Sequence, residues 1–152
     1  MTRSVRVLVS LALLGVLAVG SVSATSAGGP KVLDARLVGI PTGGLSLHGI
    51  AGGGVPWMID SGKAKLFADG RLEVEVEGLL LLNGTNPIPN GRAIVTCSSV
   101  AVASSPIVPF SPAGDAFVAT RVELPDPCLA PAVFFVGVLP NGAERWFAVT
   151  GF

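Results

Sequence analysis

Acid-base chemistry near neutral pH runs most often through histidine, and this 152-residue chain has one, His48, within Gly44-Leu45-Ser46-Leu47-His48-Gly49. In an extended segment Ser46 and His48 share a face, the spacing that would set a hydroxyl beside its base. The Gly-x-Ser-x-Gly elbow of hydrolases is absent, because the position two after Ser46 is His48 itself. A loop histidine without a catalytic part is the better reading, with a weak contribution to ligand binding as its functional alternative. Glu73, Glu75 and Glu77 are the obvious carboxylate cluster for a glycosidase, which needs two acids across a cleft. They lie on one face of one strand beside lysines, so a solvated outer face accounts for them better. Asp60, Asp69, Asp115 and Asp126 fall in turns, where aspartate hydrogen-bonds its own backbone, and no spacing matches a calcium loop. The rings are few: Trp57, Trp146, seven phenylalanines and no tyrosine. Trp57, beside a glycine-rich run, is the best anchor for a sugar or another small ligand, with core packing as the plain alternative for both tryptophans. Cys97 and Cys128 with a single distant histidine make no metal-ligand set. Nothing in these patterns implies a cofactor.

The elements that must hold these residues are strands. Leu72, Val74 and Val76 alternate with Arg71, Glu73, Glu75 and Glu77, the period-2 signature of a half-buried strand. Asp69-Gly70 before it marks a turn. A two-residue loop would set Leu66 against Glu73 and mix the faces. A three-residue loop, Ala68-Asp69-Gly70, pairs Leu66 with Leu72, Ala64 with Val74, Lys65 with Glu73 and Lys63 with Glu75, which requires Gly70 at positive φ.

The chain begins with Arg3 and Arg6, an apolar run from Val7 to Val19, and small residues that offer cleavage after Ala24 or Ala27. That is the pattern of a secretory signal peptide, residues 1–27, whose helix is too short for the roughly 18 apolar residues a membrane span needs. With it removed, eight Lys or Arg face ten Asp or Glu, a net charge near −2. No basic stripe is left for nucleic acid. Residues 28–152 suit one domain with a single core and no stable membrane span. In an exported chain the two cysteines read as one disulfide, Cys97–Cys128.

Lys31–Val38 reads as a first strand, at a sheet edge because charges sit along it. The stretch from Gly39 to Pro56 is rich in glycine and holds one short strand, Leu45–Ile50; long irregular connections are often functional or mobile. Further strands are expected over Val55–Ile59, Arg92–Ser98 with Val100–Val102 after a break, Ala116–Leu124, Ala132–Leu139 and Glu144–Thr150. Pro106 and Pro109 limit Ile107–Phe110 to an edge segment. Asn83-Gly84-Thr85 fits an N-glycosylation acceptor. No segment after the signal has a 3.6-residue period. Short strands punctuated by Gly and Pro predict an all-β fold, an antiparallel immunoglobulin-like sandwich of 7–9 strands.

The order Gly53-Gly54-Val55-Pro56-Trp57, Ala68-Asp69-Gly70-Arg71-Leu72, Val76-Glu77-Gly78-Leu79, Gly84-Thr85-Asn86-Pro87-Ile88-Pro89, a Cys-bearing strand, Leu124-Pro125-Asp126-Pro127-Cys128 and Trp146-Phe147-Ala148 resembles a group of small exported bacterial proteins of unknown function. The resemblance implies an extracytoplasmic protein with one disulfide and carries no catalytic residue. The expected function is that of a secreted, non-enzymatic protein, structural or in contact, through the Gly39–Pro56 loop, with another extracellular protein or a cell-surface component. A small-ligand or carbohydrate-binding module is the alternative.

Overall fold

The structure is a computed structural model that describes residues 29–151. The expected signal helix and both cleavage positions lie outside the described residues. The described residues contain strands and no helix: β1 (Lys31–Gly39), β2 (Ser46–Leu47), β3 (Ile50–Ala51), β4 (Trp57–Met58), β5 (Ser61–Phe67), β6 (Arg71–Glu77), β7 (Leu80–Leu81), β8 (Asn90–Cys97), β9 (Val100–Ser104), β10 (Val108–Pro109), β11 (Ala116–Arg121), β12 (Ala132–Val138) and β13 (Glu144–Thr150). Nine of them form one antiparallel sheet in the order β10-β8-β12-β13-β1-β5-β6-β11, with β9 also on β8. The sheet curls, so that β10 and β11, its two ends, lie near each other.

The central hairpin has the register its alternation demands. Leu66 faces Leu72, Ala64 faces Val74, Lys65 faces Glu73 and Lys63 faces Glu75. Gly70 has φ +83° and its N–H donates to the Phe67 carbonyl at 2.9 Å. The same turn recurs at Gly84, Gly114 and Gly142, each with positive φ and an N–H bonded to the carbonyl three residues back. One chemical device therefore closes four connections of the chain.

Three expectations are corrected. β1 is no edge: Lys31–Arg36 pair with β5 and Leu37–Gly39 pair with β13. Side chains stand perpendicular to a sheet, so charges at Asp34 and Arg36 report a wet face and say nothing about lateral partners. Leu45–Ile50 is not one strand but the tip of a hairpin, β2 against β3, with His48 and Gly49 in the left-handed region at its turn. The Gly39–Pro56 connection is also not irregular throughout, since it holds β2 and β3. Ile40 N–H bonds the Phe147 carbonyl, Gly53 N–H bonds the Trp146 carbonyl and Gly52 N–H bonds the Leu45 carbonyl, which stitches the segment to β13. Glycine is required at position 52, where a Cβ would run into the Leu45 carbonyl and the Ile40 side chain.

That stitched segment explains why β12 and β13 are buried on both faces. Phe134 meets Trp146 and His48 edge-on, while Phe135 meets Phe110 edge-on. Leu66, Leu72, Val74, Val76 and Val118 supply the core from β5, β6 and β11. Burial on this scale, at about 25 cal/mol per Å² of apolar surface, is the main favourable contribution to folding.

Candidate functional site

His48 is fixed by its turn. Its Nδ1 lies 2.8 Å from the Thr96 hydroxyl on β8, which lies 3.5 Å from the Ala132 carbonyl on β12. Ser46 turns away and donates to the Ile50 carbonyl at 3.4 Å, so the Ser46–His48 pair does not assemble. The extended segment that would have paired them is interrupted by the left-handed residue. A different hydroxyl thus reaches the imidazole, but Thr96 is fully buried. A nucleophile must touch its substrate, and no residue hydrogen-bonds the ring from its other side among the described residues. The contact holds the β2–β3 hairpin to β8. Beside it a cavity of about 330 Å³ is lined by Leu33, Leu47, His48, Pro131, Val149 and Thr150. Its walls are mainly aliphatic, with the imidazole and the Thr150 hydroxyl as polar groups.

Trp57 is 4% exposed, stacked on Phe147 at 4.0 Å between centroids and near Phe110 at 6.3 Å. Trp146 is fully buried. Neither ring turns a face to solvent, so neither offers a sugar the flat apolar platform such sites use. Both are core residues, which is the plainer of the two readings of their sequence context.

The outer face of β5, β6 and β11 carries the charge. Lys65 pairs with Glu73 at 3.2 Å, Ser61 donates to Glu77 at 2.7 Å, and Arg71 sits 3.8 Å over the Phe67 ring. Lys63, directly across from Glu75, turns instead to Asp34 at 3.0 Å and leaves Glu75 without an ion-pair partner among the described residues. Lys31 and then Lys63 hold the Asp34 carboxyl down at about 2. A carboxyl whose folded value lies below its unfolded one stabilises the fold above the unfolded value, near 3.8, and loses that contribution as pH falls through about 2. Replacing Asp34 by asparagine is expected to flatten the fall in stability between pH 4 and 2, read from urea midpoints. An unchanged slope would show that the two lysines do not act on Asp34 in solution. Asp69 is likewise held below its usual range, first by the Arg71 N–H and then by Arg121.

Glu75, Glu77 and Asp115 line an open groove of about 700 Å³ together with Phe117, which is 62% exposed. The glutamates share one strand, and Asp115 is engaged by the Gly78 N–H at 3.0 Å. Phe117 was missed as a surface feature, although the signal was present: it alternates onto the face of Ala119 and Arg121, opposite Val118 and Thr120.

Cys97 and Cys128 form the expected disulfide, with Cα atoms 5.2 Å apart. Among the described residues no group of three or more His, Cys, Asp or Glu is placed to hold a metal ion, and no helix is long and apolar enough to cross a membrane. Asn83 sits on an exposed turn and accepts hydrogen bonds from the N–H and hydroxyl of Thr85. No family model, curated protein or solved structure matches the chain.

Proposed function

We propose that the chain is an exported, non-enzymatic contact protein that binds another extracytoplasmic protein through the β4–β7 ribbon. The observation that carries this reading is the outward face of that ribbon. Trp57 pairs with Leu81 and Met58 with Leu80, so Trp57 turns inward while Pro56, Met58, Leu80 and Leu82 line the other side. Met58 is 56% and Leu82 63% exposed, and Val55 at the ribbon's end is 51% exposed. An unbroken apolar face on a hydrogen-bonded ribbon is the usual mark of a contact surface. Val55 and Pro56, the last residues of the Gly39–Pro56 segment, extend this face, and the rest of the segment is bonded to β13.

Export is supported by the basic and apolar N-terminal pattern and by the disulfide, which suits an oxidising compartment. The resemblance to small exported bacterial proteins points the same way. The curled sheet is read as an immunoglobulin-like sandwich, with β1 passing from one layer to the other where its pairing changes from β5 to β13. The burial of both tryptophans argues against the carbohydrate module.

The immobilised chain is expected to retain a protein from the extracellular fraction of its host, and Met58→Lys with Leu82→Lys to weaken that retention about 30-fold. Leu129→Lys, at an exposed apolar residue elsewhere, serves as the control. Equal retention by both variants would remove the ribbon from the contact.

A further inference from the structure

His48 and Thr150 each keep a hydrogen-bonding group that no described residue engages, and both line the cavity of about 330 Å³ beside the β2–β3 hairpin. Thr150 is 4% exposed. Its hydroxyl oxygen accepts the Val133 N–H at 2.9 Å, which leaves the hydroxyl proton without an acceptor among the described residues. A buried donor without an acceptor is costly, and a ligand that supplies one recovers that cost.

The imidazole is the second donor. Thr96 has one hydroxyl proton and two acceptors within reach, Nδ1 at 2.8 Å and the Ala132 carbonyl at 3.5 Å, the outer limit of a hydrogen bond. That proton goes to Nδ1, which places the ring proton of the neutral imidazole on Nε2. In the charged ring Nδ1 donates to Thr96 instead, and Nε2 still carries a proton. Either form therefore offers a donor on the side of the ring away from Thr96. Around the two donors the walls are hydrocarbon, from Leu33, Leu47, Pro131 and Val149, and no carboxylate lines the cavity. His48 at φ 51° and Ala130 at φ 44° both stand on it; residues with a Cβ are strained in that region, and such strain gathers at binding sites.

We propose that this cavity binds a short aliphatic carboxylate, with its tail against Leu33, Leu47, Pro131 and Val149 and its head group on the Nε2 proton of His48. The Thr150 hydroxyl is a further donor in the same wall. An apolar enclosure with a few fixed polar groups is the usual form of a small-molecule site, and this one is at the small end of the range, which suits a single short chain. An ammonium head group has only protons to give, and it would meet donors. An alcohol matches the shape but forfeits the stronger hydrogen bond made to a charged acceptor. The cavity shares no residue with the β4–β7 ribbon, and neither proposal rests on the other.

Titration of the isotopically labelled chain with hexanoate, followed by heteronuclear NMR, is expected to give saturable shifts in the β2–β3 hairpin, at Ala130 and Ala132, and over Val149–Gly151. Hexanol is expected to bind about tenfold more weakly and hexylamine not at all. His48→Asn keeps a residue that tolerates the left-handed turn and removes the imidazole, so the preference for acid over alcohol falls to about one. A merely structural histidine would weaken both ligands alike and leave that ratio unchanged. Leu47→Trp fills the cavity without touching either donor and is expected to abolish the shifts, which keeps the test in hand should His48→Asn not fold. No saturable shift with hexanoate, equal binding of hexylamine, shifts confined to the β4–β7 ribbon, an unchanged ratio in His48→Asn or unchanged binding by Leu47→Trp would each overturn the proposal.

Discussion

Replacing Gly70 by alanine is expected to destabilise the fold by about 2–3 kcal/mol, the sum of a left-handed backbone strain of roughly 1–2 kcal/mol and a displaced hydrogen bond worth about 1 kcal/mol. The residue has φ +83°, and a Cβ built on it runs into the Val122 carbonyl oxygen. Backbone cannot rotate aside as a side chain would. The neighbouring segment is held there because Val122 N–H donates to the Gly70 carbonyl at 2.8 Å. Gly70 therefore closes the β5–β6 hairpin and also seats the chain that leaves β11. Gly84 separates the two effects, since it closes the same kind of turn at φ +76° with open space around its Cβ position. Gly84→Ala is expected to cost only the strain, about 1–2 kcal/mol. Urea midpoints for the two variants give the difference directly. If Gly70→Ala were no worse than Gly84→Ala, the close approach to Val122 would carry no weight.

How much of this fold was written in side-chain alternation is clearest in β5 and β6. Their register followed from the requirement that Leu66 not face Glu73, and every predicted pair is present. Register is a local property once one face must be dry. Lateral order is not local. The charges of β1 suggested an edge, yet the strand lies between β13 and β5, because nothing in a strand's own alternation names its neighbours. The Gly39–Pro56 segment failed for another reason. Its structure comes from main-chain bonds to Trp146 and Phe147, about a hundred residues later, and main-chain donors are the same in every sequence.

The candidate site divides in the same manner. Cys97 and Cys128 were readable because only one pairing exists. His48 could be placed near no particular partner, since Thr96 reaches it through the β2–β3 hairpin, a contact between positions 48 residues apart. Trp57 looked like a ligand anchor beside glycines; those glycines are what let the chain approach Phe147 and Trp146 closely enough to bury it. At Gly53 a Cβ would press on the Trp57 and Phe147 rings. Small residues beside a large ring were a packing signal, and only the folded chain shows which rings they make room for.

Severing the sulfur bridge should cost a comparable amount by a different route. Cys97 and Cys128 are 31 positions apart, and closing a loop of that length removes roughly 3–4 kcal/mol of conformational freedom from the unfolded chain. The native contacts at the bridge are mostly independent of it. Ser98 N–H donates to the Leu129 carbonyl at 2.7 Å, and Thr96 faces Ala132 in the β8–β12 ladder. The closed loop contains β9, β10 and β11, which carry the chain from one end of the sheet to the other. Without the bridge that whole excursion is tethered only by its own strand pairings. The double variant Cys97→Ser, Cys128→Ser is therefore expected to fold with the same far-ultraviolet dichroism and to melt about 10–15 °C lower. Reduction of the natural chain should give the same shift, since both act on the unfolded state. A shift confined to a degree or two would mean that the unfolded chain already keeps these ends together. In that case the β8–β12 pairing, rather than the covalent link, would be what limits the unfolded ensemble.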